Sequence, residues 1–203
     1  MKNLVCIIDY DSGNIGSVFN LVKYLNYEVK VSNKEKDIED ASHLILPGVG
    51  SFKSTMQNLE SSLELKFLKH HIQNSKKPFL GICVGMQILA SVGYEFGKHK
   101  GLDLIPGEVN KINTSLSLPH IGWNSFVETK DNVLLNEIPK NADFYFIHSF
   151  VFKPLHKNHT ISYNNYGEKF ASIIQNENIY GVQFHPEKSQ IYGQKLMRNF
   201  LSI

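Results

Sequence analysis

Arginine is almost missing from this 203-residue chain: of its 21 basic side chains, all but Arg198 are lysine. The planar, bidentate grip on phosphates and base edges that arginine supplies is therefore nearly out of reach. A dominant charge is missing too, since 21 basic residues face 19 acidic ones for a formal net charge of +2. Nothing in that balance draws the chain to nucleic acid or to an anionic membrane. Two cysteines, Cys6 and Cys83, are too few for a disulfide framework and cannot make a Cys-x-x-Cys zinc site. No apolar run approaches the ~20 residues that cross a bilayer. The apolar opening Leu4–Ile8 runs straight into Asp9, which is not the pattern of a signal peptide. What is present is an ordinary 42% of hydrophobic residues, enough at this length to bury roughly 70% of the unfolded chain's surface in one core. The expectation is a cytoplasmic protein with reduced thiols, one domain over residues 1–203, and neither a nucleic acid nor a membrane as partner.

The first 95 residues alternate strands with helices. Leu4–Ile8 is a short continuous apolar run, the pattern of a strand buried on both faces of a parallel sheet. A turn is expected over 11–14, then a helix carrying Ile15, Val18, Phe19, Val22 and Leu25 at helical spacing. Further strands are read at Glu28–Ser32, His43–Leu46 and Phe79–Ile82, with helices over about 60–73 and 85–91. The second half carries short β-branched and aromatic runs between Asn, Gly and Pro turns, read as antiparallel strands extending the same sheet, before a last helix over 191–200. The fold class is α/β, a doubly wound, mostly parallel sheet with an antiparallel extension in the C-terminal half. Ligand sites in such folds lie at the carboxyl ends of the strands.

Gly81-Ile82-Cys83-Val84-Gly85 has the form Gly-x-nucleophile-x-Gly between a predicted strand and a predicted helix. A strand-to-helix turn that sharp holds the nucleophile in a strained backbone, and its close packing leaves room only for glycine on either side. Read alone, Cys83 is a small buried hydrophobe; the glycine frame makes it a nucleophile. Cys6 lacks that frame and reads as core. A thiol needs a base, and of nine histidines His185 is the one with an orienting group beside it, in His185-Pro186-Glu187. The proline biases His185 to an extended backbone, which puts residues 185 and 187 on one side and lets Glu187 accept a hydrogen bond from the imidazole. Pro47-Gly48-Val49-Gly50 closes the third strand, and its glycines let backbone N–H groups turn toward a developing oxyanion. The turn over 11–16 has Asp11 where a dinucleotide fingerprint needs its first glycine, which disfavours a nucleotide cofactor.

With these residues in place the sequence resembles the triad, or class I, glutamine amidotransferases, which carry a Gly-x-Cys-x-Gly-x-Gln elbow and a distal His-Pro-Glu. Gly81 to Gln87 and His185 to Glu187 carry the resemblance. Within the family it is closest to the glutaminase subunits of imidazole glycerol phosphate synthases. That likeness rests on Asp9-Tyr10 with Gly13-Asn14, on Leu46 to Phe52, on Pro119 to Asn124 and on Phe144 to Ser149. The resemblance implies a flavodoxin-like sheet and hydrolysis of L-glutamine through a Cys83 glutamyl thioester, with His185 moving protons, Glu187 orienting it, and no cofactor or metal. It implies an oxyanion hole at Gly48, Val49, Gly50 and Val84, and a glutamine pocket lined by Gln87, Glu95, His148 and Ser149. It further implies a separate (β/α)8 synthase subunit that receives the ammonia in histidine biosynthesis, contacted through Asn14, Trp123, Tyr145 and Lys188. Family members commonly have an arginine where Gly16 stands and a lysine before the Pro119 segment, where Ser117-Leu118 stands. Those departures keep open a related glutaminase serving amidation in surface-sugar biosynthesis. A stand-alone cysteine hydrolase is the alternative of another class.

Overall fold

The computed structural model describes residues 4–11 and 13–203, so Ser12 of the expected 11–14 turn lies outside the described residues. Strands β1 (Leu4–Ile8), β2 (Glu28–Ser32), β3 (His43–Leu46) and β4 (Phe79–Ile82) lie where the apolar runs place them. They pair in parallel in the order β2, β1, β3, β4, and a fifth parallel strand, Ile179–Val182, runs alongside β4. Successive side chains point to opposite faces, so a continuous apolar strand must be covered twice. Cys6, Ile8, Leu44, Leu46 and Phe79 pack under helices α3 (Phe52–Ser62) and α4 (Leu65–Ser75). Val5, Ile7, Ile45, Leu80 and Ile82 pack against helices α1 (Ile15–Tyr24) and α6 (Gln190–Leu201). That alternation is the doubly wound architecture in residue terms.

Several boundaries differ from expectation. The helix expected over 60–73 is two helices, because Leu63 is extended (φ −158°, ψ 161°) and drops into the core between α3 and α4. Helix α3 also begins far earlier, where the Ser51 hydroxyl accepts the Ser54 N–H and caps it. Helix α2 (Glu35–Asp40), which buries only Ile38, has too few apolar residues to show a period. The helix expected over 85–91 is the single turn α5 (Val84–Gln87). Its continuation is blocked because the carbonyls of Ile88, Leu89 and Ala90 accept from the N–H groups of Leu102 to Ile105 instead.

The expected antiparallel extension holds for Glu168–Asn176, Thr160–Tyr166 and Glu128–Thr129, which continue the main sheet beyond Ile179–Val182. It fails for the rest of the second half. With that edge occupied, His120–Ser125 pairs with Asp143–His148 as a separate ribbon. Phe150–Pro154, Gly107–Lys111, Val92–Gly93 and His99–Lys100 form a third sheet. The junction of the two small sheets, at 147–150, stands over the carboxyl end of β4 and walls the site.

Candidate active site

Cys83 follows β4 directly and has φ 55° and ψ −113°, a conformation that costs on the order of 1–3 kcal/mol for a side chain with a Cβ. Its N–H still donates to the Val182 carbonyl at 2.8 Å, so the strained residue is clamped to the neighbouring parallel strand. The frame needs glycine on both sides. A Cβ on Gly81 would stand 2.6 Å from the Gly85 carbonyl oxygen, and one on Gly85 would stand 2.1 Å from that of Leu46. Cys6, in contrast, sits inside β1, where burial, with the charge of Asp37 adding to it, pushes its thiol up to about 12. It is core, and chemically silent at neutral pH.

His185 leaves the end of the adjacent strand with an extended backbone (φ −102°, ψ 98°). Glu187 is not on an extended segment, as the spacing suggests; residues 186–188 form a 3-10 turn. The turn still brings the carboxylate to the ring, with His185 Nδ1–H donating to Glu187 Oε1 at 2.7 Å and both side chains wholly buried. Burial pulls the His185 imidazolium down, but the charge of Cys83 beside it, followed by the bond and charge of Glu187, outweighs it and holds the ring up at about 10. The ring therefore keeps its second proton beside the sulfur. The loop is stapled in place: His185 N–H donates to the Tyr145 carbonyl at 2.9 Å, and the Ser189 hydroxyl donates to the His185 carbonyl at 2.6 Å.

Asn14 is not at the surface. It is buried at the amino-terminal end of α1, donating its Nδ2–H to Glu187 Oε1, with His185 Nδ1 3.4 Å away. The side chain assigned to a partner contact is thus the group behind the carboxylate. The three others of that set lie together and outward. Trp123 is 48% exposed and meets the Tyr145 ring edge-on at 5.9 Å, while the Lys188 ammonium stands 5.8 Å from the same ring.

A cavity of about 170 Å³ opens at the sulfur, lined by Val49, Gly50, Cys83, Val84, Gln87, Glu95, Ile147, His148, Ser149, Phe150, His185 and Lys188. That is the scale of a small polar molecule such as an amino acid. Of the expected oxyanion residues, Val49, Gly50 and Val84 line it. Gly48 lies beneath them, where a Cβ would stand 2.4 Å from Val84 Cγ1. The Tyr10 hydroxyl donates to the Pro47 carbonyl at 2.5 Å and pins the base of that loop. Gln87, Glu95, His148 and Ser149 share the cavity wall. Burial pushes the Glu95 carboxyl up, against the Phe52 N–H that donates to it at 2.8 Å.

Three polar residues at this site were given no role from the sequence, although two of them stand in segments that carry the family likeness. Tyr10 is one. His120 is another: His148 Nδ1–H donates to the Phe150 carbonyl at 3.0 Å, so its Nε2 accepts from His120 Nδ1 at 3.1 Å, and His120 Nε2 accepts from Asn124 at 3.4 Å. Burial keeps both rings neutral, pushing His148 down to about 3 and His120 to about 4. The third is Gln183, fully buried, with Nε2 3.7 Å from Cys83 Sγ and Oε1 accepting from Gln87 at 3.0 Å. An alternation of one residue from His185 predicts its inward side, but nothing local names its partners. No group of three His, Cys, Asp or Glu among the described residues is placed to hold a metal ion.

The family model described as "Glutamine amidotransferase class-I" matches residues 6–203. The chain is 43% identical to the imidazole glycerol phosphate synthase subunit HisH of Leptospira borgpetersenii, covering 98% of this chain and 100% of that one. It is 42% identical to subunit HisH 1 of Campylobacter jejuni (98% and 100%) and 40% identical to subunit HisH of Aquifex aeolicus (96% and 94%). Among solved structures it resembles PurLQS from Thermotoga maritima, with a TM-score of 0.77 at 17% identity over 100% and 99% of the two chains. A glutamine amidotransferase from the same organism has a TM-score of 0.65 at 20% identity over 92% and 77%. These structural likenesses speak for the fold.

Proposed function

This chain belongs to the class I glutamine amidotransferases, and on that footing we propose that it is the glutaminase subunit of an imidazole glycerol phosphate synthase. The observation that carries the reading is one juxtaposition. A strained Cys83 and the buried His185–Glu187 pair leave two adjacent parallel strands and share a cavity of amino-acid size. The Cys83 sulfur attacks the side-chain amide carbon of glutamine, and N–H groups around Gly48 to Gly50 and of Val84 receive the oxyanion. The imidazolium of His185 gives its proton to the amide nitrogen as the C–N bond breaks and ammonia leaves. The neutral ring then takes a proton from water, whose oxygen attacks the thioester; the C–S bond breaks, and glutamate departs with the sulfur again anionic beside an imidazolium. Glu187 holds the ring through Nδ1 in both steps, and Asn14 holds Glu187.

The ammonia passes to a separate (β/α)8 synthase subunit, which docks on the face bearing Trp123, Tyr145 and Lys188. Exposed Ile121 (56%) and Ile147 (37%) on the same ribbon give that face an apolar centre of the kind that interfaces bury. The histidine-pathway assignment rests on relatives that share about 40% of the sequence and carry that subunit name from three bacterial lineages. The surface-sugar alternative finds no relative among them. The test measures glutamate released from glutamine, with and without the synthase subunit. Turnover is expected to be slow alone, to rise on adding the partner, and to vanish in Cys83→Ala; unchanged release in that variant would sink the reading.

A further inference from the structure

Attack, loss of ammonia and thioester hydrolysis leave one buried polar group at the nucleophile unused. Gln183 is the last residue before the Phe184-His185 step, and its backbone is fixed by its N–H donating to the Ser172 carbonyl at 2.9 Å. The side chain is fully buried and spans Gln87 and the Cys83 sulfur. Which end faces which is decided by the surroundings. Gln87 Nε2 donates to the Phe150 backbone carbonyl at 2.9 Å, and a carbonyl can only accept, so the nitrogen end of Gln87 is fixed. Its other N–H points to Gln183 and requires an oxygen there. The Gln183 Nε2 is thereby left facing Cys83 Sγ at 3.7 Å.

The opposite side of the sulfur shows why such a donor matters. The Ile147 carbonyl oxygen lies 3.8 Å from Sγ and accepts from the thiol. Once the proton is gone, that oxygen faces a negative sulfur and opposes it. An amide N–H does the reverse, bonding the anion strongly and the neutral thiol, a weak acceptor, only slightly. A buried site strengthens both effects. The charged and titratable groups that share the cavity with the sulfur are His185, backed by Glu187, then Glu95, the neutral His148 and, where its side chain leads outward over Tyr145, Lys188. Of these, His185 supplies the counter-charge but surrenders it when it protonates the leaving ammonia.

We propose that Gln183 is a further catalytic residue of the glutaminase reaction, a fixed N–H donor to the Cys83 thiolate whose orientation is locked by Gln87. The inference rests on the glutaminase reading for its substrate, but its action on the sulfur is measurable without glutamine. It holds the thiolate through attack and again when the thioester collapses, the two moments at which sulfur carries the charge. Gln87 thereby acquires a second role, because truncating it frees the Gln183 amide to turn.

The experiment compares alkylation of Cys83 by iodoacetamide across pH in the wild-type chain, Gln183→Met and Gln183→Glu, located by mass spectrometry, with circular dichroism confirming the fold. Gln183→Met keeps the volume and removes the donor. It is expected to shift the rate profile to higher pH, to slow alkylation at neutral pH about tenfold or more, and to lower kcat for glutamine more than it alters KM. Gln183→Glu keeps an acceptor for Gln87 and places a carboxylate against the sulfur, with an expected shift in the same direction. It serves as the variant of record if the methionine does not fold. A Gln183→Met profile superimposing on the wild type overturns the proposal, whatever happens to turnover. Absence of glutamate from the wild type with its partner sinks the glutaminase reading instead, and the alkylation profiles then still decide the role of Gln183.

Discussion

His185 is pulled in two directions, by burial toward the neutral ring and by Cys83 and Glu187 toward the imidazolium, and the second wins. Because its pKa in the fold, about 10, stands above the usual 6.5, the charged ring adds stability that is complete below pH ~6.5 and fades as pH rises toward ~10. In the proposed reaction the proton it holds is the one the departing ammonia takes. Glu187→Gln removes one of the supports, so the alkaline limb of kcat/KM, measured with the synthase subunit bound, is expected to move to lower pH while kcat falls; an unmoved limb would show that Glu187 plays no electrostatic part. Asn14→Ala strips the donor from a buried carboxylate. The loss of a hydrogen bond to a charged group, about 1.5–3 kcal/mol, predicts a roughly ten- to hundredfold lower kcat with little change in KM, read by steady-state kinetics. That Cys83 and His185 meet at one cavity with Glu187 on the ring was legible, since Cys83 carries its glycines and His185 its Pro-Glu within a few residues. Asn14 was not legible in this role: a Gly-Asn turn reads as surface, and the carboxylate it meets is 173 residues away.

At the scale of elements, the strands were readable because a parallel strand covered on both faces has to be apolar throughout, as His43–Leu46 and Phe79–Ile82 nearly are. Helix ends were not, because their limits are set from outside. Helix α5 stops after one turn since residues 102–105 claim the next carbonyls, and no local signal around Ile88 announces that. The shortness of α5 has a use. With so little helix behind it, the elbow is held by packing: Gly85 lies against the Leu46 carbonyl and Gly48 against Val84. Gly85→Ala is therefore expected to do far more than a surface substitution, displacing β3 from the elbow. A stability loss of several kcal/mol by urea denaturation is the expected outcome, together with loss of glutaminase activity. A variant of near wild-type stability would mean that the two strand ends move apart freely.

The whole molecule is a sheet whose working edge is closed by two small sheets, and the ribbon His120–Ser125 with Asp143–His148 belongs to both the cavity and the outer face. Tyr145 shows the connection, its ring packed with Trp123 and Lys188 outside and its backbone carbonyl holding His185 inside. Trp123→Ala is expected to weaken binding of the synthase subunit about thirtyfold or more by calorimetric titration, as for a central aromatic anchor, with the unpartnered activity unchanged. An unaltered Kd would place the interface elsewhere. The separate ribbon was not legible as such, because alternation shows that a segment is a strand and is silent on which edge it joins.

The relay from Asn124 through His120 and His148 to the Phe150 carbonyl fixes every tautomer along it, and both imidazoles stay neutral down to about pH 4. Seen from the cavity, this stretch of wall acts as an insulator: His148 lines it with His120 behind, yet across the physiological range neither changes the field inside.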